Sequence, residues 1–271
     1  MEIKPRYFLE IAYDGTPYRG WQIQPNAPSV QAEVERALRF ALHQEKVVVV
    51  GCGRTDTGVH ASKYFLHFDG PSDKPLGDRF LHSLNGILPE SIAVKRIISV
   101  SDDAHARFGA IERGYIYRIH RHKDPFLTNR SHLLKPPLLV DAMNEACACL
   151  IGKQDFTSFQ RTGSDNRTAI CDVRLAHWES TPIGYQFTIR ADRFLRNMVR
   201  AIVGTCVNIG RGLQPPSHMQ VVLDARDRSM AGRSASARGL YLADVVYPFI
   251  PRTVPEGSPS EVHDPFPQER S

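Results

Sequence analysis

The chain has 271 residues, enough for one large domain or two of ordinary size. Its 42% hydrophobic and 23% charged residues are typical of a soluble, folded protein. No apolar run approaches the roughly 18 residues of a membrane span. The opening residues lack a signal-peptide core, so we expect a cytoplasmic protein without a membrane anchor.

The charge is mildly basic and carried mostly by arginine. The formal net charge is +5, the sequence pI is about 9.0, and arginine outnumbers lysine 26 to 8. Arginine binds phosphate through a planar fork, so this bias favours a nucleic-acid partner. A genome rich in G and C would produce the same bias, and composition alone leaves both explanations open.

The cysteines indicate neither disulfides nor a metal site. The five of them are an odd number and form no C-x-x-C pair, which is typical of reduced thiols in a cytosolic protein. Cys147 and Cys149 are separated by one alanine on a predicted helix, where packing explains them better than zinc. We therefore predict no metal ion.

The first hundred residues predict the order β-α-β-β-α-β, as in a ferredoxin-like unit. Tyr7, Leu9, Ile11 and Tyr13 alternate along the first strand, and Ser29 is a candidate N-cap for the first helix. The predicted segments are, in chain order, "RYFLEIAYDG", "VQAEVERALRFALHQ", "KVVVV", "KYFLHFDG", "GDRFLHSLNGIL" and "SIAVKRIISV".

The second half predicts a similar order without any repeat in the sequence itself. Its segments are "RGYIYRIHR", "VDAMNEACACLIG", the hairpin "DVRLAHWES" with "GYQFTIRA", the helices "RFLRNMVRAIVGTCVNIG" and "HMQVVLDAR", and the strand "GLYLADVVY". We predict an α+β protein of two ferredoxin-like units, residues 1–107 and 108–250, with antiparallel sheets side by side. The proline-rich residues 251–271 read as a loose tail.

A basic stripe marks the helix predicted over residues 193–208. At 100° per residue, Arg193, Arg196, Asn197 and Arg200 fall within about 100° of one another on one face. Gly204 lies in the same stripe and would let a backbone come close. Such a face is either solvated or a contact for phosphate or carboxylate, and the pattern leaves both open.

The loop "GCGRTDTGVHA", residues 51–61, places Asp56 between two threonines and near glycines. An aspartate in this setting can be a turn or cap residue. Arg54, two positions earlier, could instead keep the carboxylate ionised. An ionised aspartate is suited to act as a nucleophile rather than as a general acid at neutral pH.

The tripeptide Asp56-Thr57-Gly58 also occurs in aspartic proteases. Those enzymes need two carboxylates that share one proton, and this chain has a single D-T-G. Arg54 also opposes proton sharing, so this alternative is disfavoured.

Several blocks in order make the chain resemble the TruA-type tRNA pseudouridine synthases, from about residue 7 to residue 249. They are "YDGTPYRGWQIQPN", "GRTDTGVHA", "HARFGAIERGYIYRI", "MVRAIVGT", "VGTCVNIGRG" and "ARGLYLADVVY". The second block is similar to the most diagnostic motif of the family, with Thr57 in place of the usual alanine.

This resemblance implies roles for the residues that match. Asp56 would be the catalytic aspartate, Arg54 the arginine that displaces the target base, Tyr115 the ring that packs on the uracil, and Arg200 the basic partner of the aspartate. It also implies the pseudouridine synthase fold and isomerisation of uridine at positions 38, 39 and 40 of the tRNA anticodon stem-loop. The enzyme would be a homodimer and need no cofactor.

Other residues have weaker assignments. Arg193 and Arg196 would line the path of the RNA backbone, and Leu240 would lie against the base. His60 and His105 follow small or apolar residues, and we predict structural roles for both. The competing class is an RNA-binding module without chemistry, and Asp56 discriminates between the two because binding alone does not need it. Whether Asp56 attacks C1′ or acts through a glycal stays open.

Overall fold

A computed structural model of the chain describes residues 5–71, 76–163 and 168–251. Within these ranges the protein is an α+β structure with ten strands and five α-helices. Apart from Pro251, the predicted tail lies outside the described residues.

The first part of the chain follows the predicted order of elements. Its bounds are β1 (Arg6–Tyr13), α1 (Val30–Leu42), β2 (Val50–Gly51), β3 (His60–Asp69), α2 (Asp78–Ile87) and β4 (Ile92–Val100). Ser29 caps α1 as predicted, because its side chain accepts a hydrogen bond from the backbone N–H of Ala32.

Two details of this part differ from the prediction. Strand β1 is buried on both faces from Tyr7 to Ile11, because residues near the C-terminus cover the second face and the Tyr247 ring packs edge-on against Phe8 at 5.3 Å. The predicted strand "KVVVV" shortens to β2, whose Val50 and Gly51 alone pair with β3. Val47 and Val49 nevertheless reach the core.

The second part contains the predicted hairpin and two further short strands. Its bounds are β5 (Glu112–His120), β6 (His132–Leu133), α3 (Val140–Ala148), β7 (Gly152–Asp155), β8 (Ile170–Thr181), β9 (Gly184–Ala191), α4 (Met198–Gly210), α5 (His218–Ala225) and β10 (Leu240–Val246). Strands β8 and β9 form the predicted hairpin. Strands β6 and β7 are short, and β7 is the polar sequence "GKQD", so neither carries an alternating apolar pattern.

All strands join one continuous sheet in the order β4-β1-β3-β10-β5-β9-β8-β7, with β2 on β3 and β6 on β5. The last strand, β10, lies in the middle, antiparallel to β5 and parallel to β3 through Tyr241↔His60 and Leu242↔Ala61. The sheet is therefore mixed rather than antiparallel throughout, and the two halves meet at β3 and β10.

The apolar core divides into two clusters. One collects residues before position 107 together with Leu242, Val245, Tyr247 and Ile250, and the other collects residues 117–240 together with Val59. Tyr115 packs against both clusters. The loop before β3 is thus anchored in the core of the opposite half, which fixes its position at the junction.

The cysteines of the chain are free thiols, as predicted. Across the described ranges, no helix is both long enough and apolar enough to cross a membrane.

Candidate active site

The helix predicted over residues 193–208 is shorter at its N-terminal end than expected, and this changes the candidate site. Helix α4 starts at Met198, because Asn197 adopts a left-handed conformation (φ 68°) that ends the preceding loop. The backbone carbonyl of Arg196 accepts a hydrogen bond from the N–H of Arg161 instead of continuing a helix. Arg193 and Arg196 therefore lie in a loop, and they do not share a helical face with Arg200.

The Asp56 carboxylate faces two arginines from this loop and helix. Arg200 Nη1 donates to Asp56 Oδ2 at 3.3 Å, and Arg196 Nε lies 3.7 Å from Asp56 Oδ1. The side chains of Asp56 and Arg200 are 25% and 22% exposed, whereas that of Arg196 is 59% exposed. The carboxylate thus faces two cations while part of it stays open to solvent.

The arginine expected from proximity in the sequence is therefore not beside Asp56, whereas Arg200, the basic partner that the family resemblance implies, is. Arg54 is exposed, and within the described ranges it forms no ion pair with Asp56. Arg200 is 144 positions away in the chain, and only the fold brings it to the aspartate. The hydroxyl of Thr57, the residue that departs from the family motif, forms no hydrogen bond with Asp56 in the described part of the chain.

Backbone contacts from the first part of the chain shape the loop that carries Asp56. Gly20 (φ 101°) packs so close to the carbonyl of Thr55 that a side chain at Gly20 would collide with it. The Tyr13 hydroxyl lies 2.9 Å from Thr55 Oγ1, and Val59, 2% exposed, is buried just beyond the loop. Asp56 consequently projects from a loop that is fixed on both sides.

The segment before β10 positions Arg200. Arg200 Nε donates to the carbonyl of Ala235 at 2.8 Å, and the N–H of Ala235 returns a hydrogen bond to the Arg200 carbonyl at 2.9 Å. This segment can approach because Gly204 has no side chain: a Cβ there would collide with the Arg233 carbonyl. The predicted role of Gly204 is confirmed, and the backbone that comes close is the protein's own.

Tyr115 lies beside the carboxylate, on β5. Its ring meets that of Phe194 edge-on, with centroids 5.1 Å apart. Burial raises the pKa of Tyr115 well above its ordinary value, and the charges of Cys52 and Asp56 raise it further. The phenol is therefore neutral at physiological pH, and it offers a half-buried aromatic face next to Asp56.

Arg113, two residues before Tyr115 on β5, is a structural hub that sequence reasoning missed. Its guanidinium donates to four backbone carbonyls, those of Cys52, Arg107, Ala110 and Asp192. It therefore joins the start of the Asp56 loop to the segments on either side. The available signal was the alternation of β5, which places Arg113 and Tyr115 on the same face of the strand.

The remaining predicted residues fall outside this cluster. Arg193 is half-buried, and among the described residues it forms no ion pair with Asp56. It lies near Cys171 instead: burial raises the pKa of the Cys171 thiol to about 12, and the charge of Arg193 opposes that rise. Leu240 is 5% exposed within the C-terminal core cluster, so little of it is open to a ligand. Its predicted contact with a base stays a prediction.

The two histidines are held by structural contacts, in keeping with their predicted roles. His60 is 2% exposed, and its Nδ1 accepts from Gly15 N–H at 3.2 Å while Nε2 lies 3.2 Å from the Arg238 carbonyl. Burial lowers the pKa of His60, although Asp14 raises it. His105 Nδ1 accepts from the backbone N–H groups of Arg107 and Phe108.

This geometry allows both covalent attack and proton transfer by Asp56. A carboxylate between two arginines can attack an electron-poor carbon or remove a proton, and the arginines can also bind phosphate. The half-buried ring of Tyr115 can support a planar base. Within the described ranges, no group of three His, Cys, Asp or Glu side chains is arranged to hold a metal ion.

Sequences of known proteins are similar to this one along nearly the whole chain. A family profile described as tRNA pseudouridine synthase matches residues 146–248. The tRNA pseudouridine synthase A of Parabacteroides distasonis is 46% identical over 245 residues, which covers 90% of this chain and 96% of that protein. The proteins of the same name from Porphyromonas gingivalis and Bacillus subtilis are 46% and 40% identical, over 90% and 88% of this chain and 97% of each relative. The chain therefore belongs to the tRNA pseudouridine synthase A family, a family of isomerases.

Proposed function

We propose that this protein converts uridine to pseudouridine at positions 38, 39 and 40 in the anticodon stem-loop of tRNA, with Asp56 as the nucleophile. The observation that carries the proposal is the Asp56 carboxylate, partly exposed and paired with Arg200 across 144 positions of the chain. A protein that only binds RNA has no use for an anion at the centre of a basic site.

The reaction is an isomerisation that leaves the composition of the nucleotide unchanged. The bond from ribose C1′ to uracil N1 breaks, the uracil rotates, a bond forms from C1′ to C5, and the proton on C5 moves to solvent while N1 gains one. Asp56 bonds to C1′ as the base leaves, as a retaining glycosidase carboxylate does, and the carboxylate is released when C5 attacks. In the glycal route Asp56 instead removes the proton at C2′ as the base leaves, and returns it to C2′ when C1′ bonds to C5.

The two arginines orient the carboxylate of Asp56. Arg200 is restrained by the Ala235 carbonyl, so its Nη1 keeps a fixed direction toward Asp56. Arg196 is more exposed and more distant, which suits a residue that contacts a phosphate when RNA binds. Arg193, in the same loop, would extend the path of the RNA backbone.

The target base must leave its stack to reach Asp56, and unstacking costs a few kcal/mol. Arg54 is exposed on the same loop and would occupy the vacated position, which offsets part of that cost. Tyr115 then supplies a face against which the detached uracil can rotate, with Leu240 at its edge. No cofactor takes part in these steps.

The architecture suggests a duplicated fold. In the first half, the four strands lie side by side in the order β4-β1-β3-β2. In the second half, β5, β8, β9 and β10 correspond to the first, second, third and fourth strands, and their order β10-β5-β9-β8 is the same. We therefore propose two ferredoxin-like units, residues 1–107 and 108–250, with the site at their junction. The active form would be a cytoplasmic homodimer, with one tRNA across both subunits.

The test is release of tritium from C5-labelled uridine in tRNA, followed by mapping of the modified positions. We expect release stoichiometric with pseudouridine at positions 38, 39 and 40, and tRNA affinity that falls steeply as salt rises. Tight binding without tritium release would instead support the RNA-binding module. Pseudouridine at other positions would reject the assignment to the anticodon stem-loop.

A further inference from the structure

An exposed aromatic side chain lies on the loop between β4 and β5. The side chain of Phe108 is 76% exposed, among the most exposed large apolar side chains in the described part of the chain. Nothing in the proposed chemistry uses it. A single exposed ring is common on protein surfaces and marks no site by itself, so its neighbours decide whether it does.

The ring is held in a fixed position rather than left free. The rings of His105 and Phe108 have centroids 4.5 Å apart, and His105 Nδ1 accepts from the backbone N–H of Phe108 at 3.2 Å. The Arg107 guanidinium lies over the Phe108 ring, 5.5 Å from its centroid. Because three consecutive contacts fix the loop, little side-chain entropy remains to be lost when a ligand stacks on the ring.

The Phe108 loop is coupled to the Asp56 loop through one side chain. Arg113 Nη2 donates both to the Arg107 carbonyl and, at 3.3 Å, to the Cys52 carbonyl. Cys52 precedes Arg54 by two residues. The backbone that carries the exposed ring is therefore tied to the backbone two residues before Arg54.

The charges around the ring favour an anionic partner. The Arg107 guanidinium forms no ion pair within the described ranges, and the four groups that receive hydrogen bonds from Arg113 are neutral carbonyls. An aromatic ring beneath an arginine that has no ion pair among the described residues is a combination that binds unpaired nucleotides, because bases stack on the ring and phosphates meet the cation.

We propose that Phe108 is a stacking platform for an unpaired base of the tRNA, next to the nucleotide whose uridine reaches Asp56. The proposal rests on the proposed function, since it assumes that RNA lies along this cleft. Arg107 contributes its charge above the ring and to the adjoining phosphate. The platform would hold the RNA backbone while the target nucleotide is out of its stack.

The test compares substitutions of Phe108 in the full-length protein, with tRNA binding and tritium release as the measurements. Phe108→Ala and Phe108→Leu remove the ring, whereas Phe108→Trp keeps an aromatic face. Phe40→Ala is the matched control, because Phe40 is 69% exposed on α1, away from the Asp56 loop. Unchanged melting temperatures establish that each variant is folded.

We expect Phe108→Ala and Phe108→Leu each to raise the dissociation constant for tRNA by about tenfold. Phe108→Trp and Phe40→Ala should stay within about twofold of the parent. The rate at saturating tRNA should change less than the affinity, because the platform does not touch the reacting atoms.

A second measurement identifies the contact directly. An anticodon stem-loop RNA with 5-iodouridine at a single loop position is irradiated in complex with the protein and digested with trypsin. We expect a crosslink in the fragment 108–113, which follows Arg107 and ends at Arg113.

Three outcomes overturn the proposal: parental affinity in Phe108→Ala, full function in Phe108→Leu, or a change in oligomeric state without a change in RNA affinity. The last would assign the ring to a contact between two copies of the chain. If the parent binds tRNA but does not form pseudouridine, the proposed function fails, and the affinities of the Phe108 variants still decide whether the platform exists.

Discussion

Two loops of this protein each carry an aspartate with the same exposure, but the two carboxylates have different partners. Asp14 follows β1 in "YDGT", and Asp56 precedes β3 in "TDTG"; both side chains are 25% exposed and both lie near arginine. Asp14 Oδ1 accepts from the backbone N–H of Thr16 at 2.9 Å and lies 3.1 Å from His60 Nδ1. Among the described residues, the side-chain partners of Asp56 are the two arginines alone.

The difference separates a structural carboxylate from one that is available for chemistry. One carboxylate oxygen of Asp14 accepts a hydrogen bond within its own turn, as is typical of an aspartate near glycine. Although burial raises the pKa of Asp14, the hydrogen bonds from Thr16 and the charges of His60 and Arg130 outweigh it and lower that pKa. Asp56 makes no such local side-chain bond, so its oxygens can exchange an arginine contact for a bond to substrate.

Replacing each aspartate with asparagine should give the largest difference in the rate of tritium release between the two loops. Asp56→Asn removes the anion while keeping the shape, and we expect the steady-state rate of tritium release to fall by about 10⁴-fold or more, with tRNA affinity within a few-fold. Asp14→Asn should retain the rate and lower the free energy of unfolding by about 1 kcal/mol. Substantial turnover in Asp56→Asn, or inactive but stable Asp14→Asn, would break the comparison.

Arg200 tests whether the partner of Asp56 matters as much as Asp56 itself. Arg200→Ala leaves a partly buried carboxylate without its closest cation, and we expect kcat/KM to fall by about 100-fold. Arg200→Lys keeps the charge but cannot bond both Ala235 and Asp56, so it should recover only part of the loss. Steady-state kinetics on tRNA measure both variants, and an unaffected Arg200→Ala would mean that the pair is incidental.

Arg196 should matter less, because it is 59% exposed and 3.7 Å from the carboxylate. We expect Arg196→Ala to lower kcat/KM by roughly threefold to tenfold, mainly through KM, and to make tRNA binding less dependent on salt. Arg79→Ala, on the exposed side of α2, controls for the loss of one positive charge. Equal salt slopes in the two variants would contradict a phosphate contact at Arg196.

Two histidines of β3, His60 beside the Asp14 loop and His67 beside Phe8, predict an acid sensitivity of the fold. Burial lowers the pKa of His60, and burial followed by the charge of Arg6 lowers that of His67 to about 4. A lowered pKa means that the unfolded chain takes up protons first, so stability should be fully present above pH about 6.5 and decline toward pH 4.

Thermal melts across this pH range measure the effect. His67→Gln should show a shallower decline than the parent, because one of the two histidines no longer titrates. A decline of unchanged steepness in both His67→Gln and His60→Gln would contradict the assignment.

Much of the fold follows from local patterns in the sequence. Ser29 before an amphipathic run predicts the start of α1, and the β8–β9 hairpin follows from alternating strands around a short turn. The start of α4 does not follow, because the apolar spacing continues through Leu195 and only the left-handed backbone of Asn197 breaks the helix. Strand β7 has no apolar pattern, since pairing with β8 rather than burial defines it.

The candidate site shows the same limit. Asp56 is recognisable from its own loop, and the family motif supports it. The partner is not recognisable from the loop itself, because proximity in sequence favours Arg54. The family resemblance implies Arg200 instead, and the fold brings both Arg200 and Arg196 to the aspartate from the other half. The role of Arg113 could not be predicted from the sequence either, because its hydrogen bonds go to backbone carbonyls of segments distant in sequence.

The central claim is that the Asp56 carboxylate acts on the ribose of bound RNA and does more than help to bind it. Single-turnover tritium release, with enzyme in excess over C5-labelled tRNA so that every RNA is bound, tests this most directly. We expect complete release by the parent and by Asp14→Asn, and none above background by Asp56→Asn. Release by Asp56→Asn at the parental rate would contradict it.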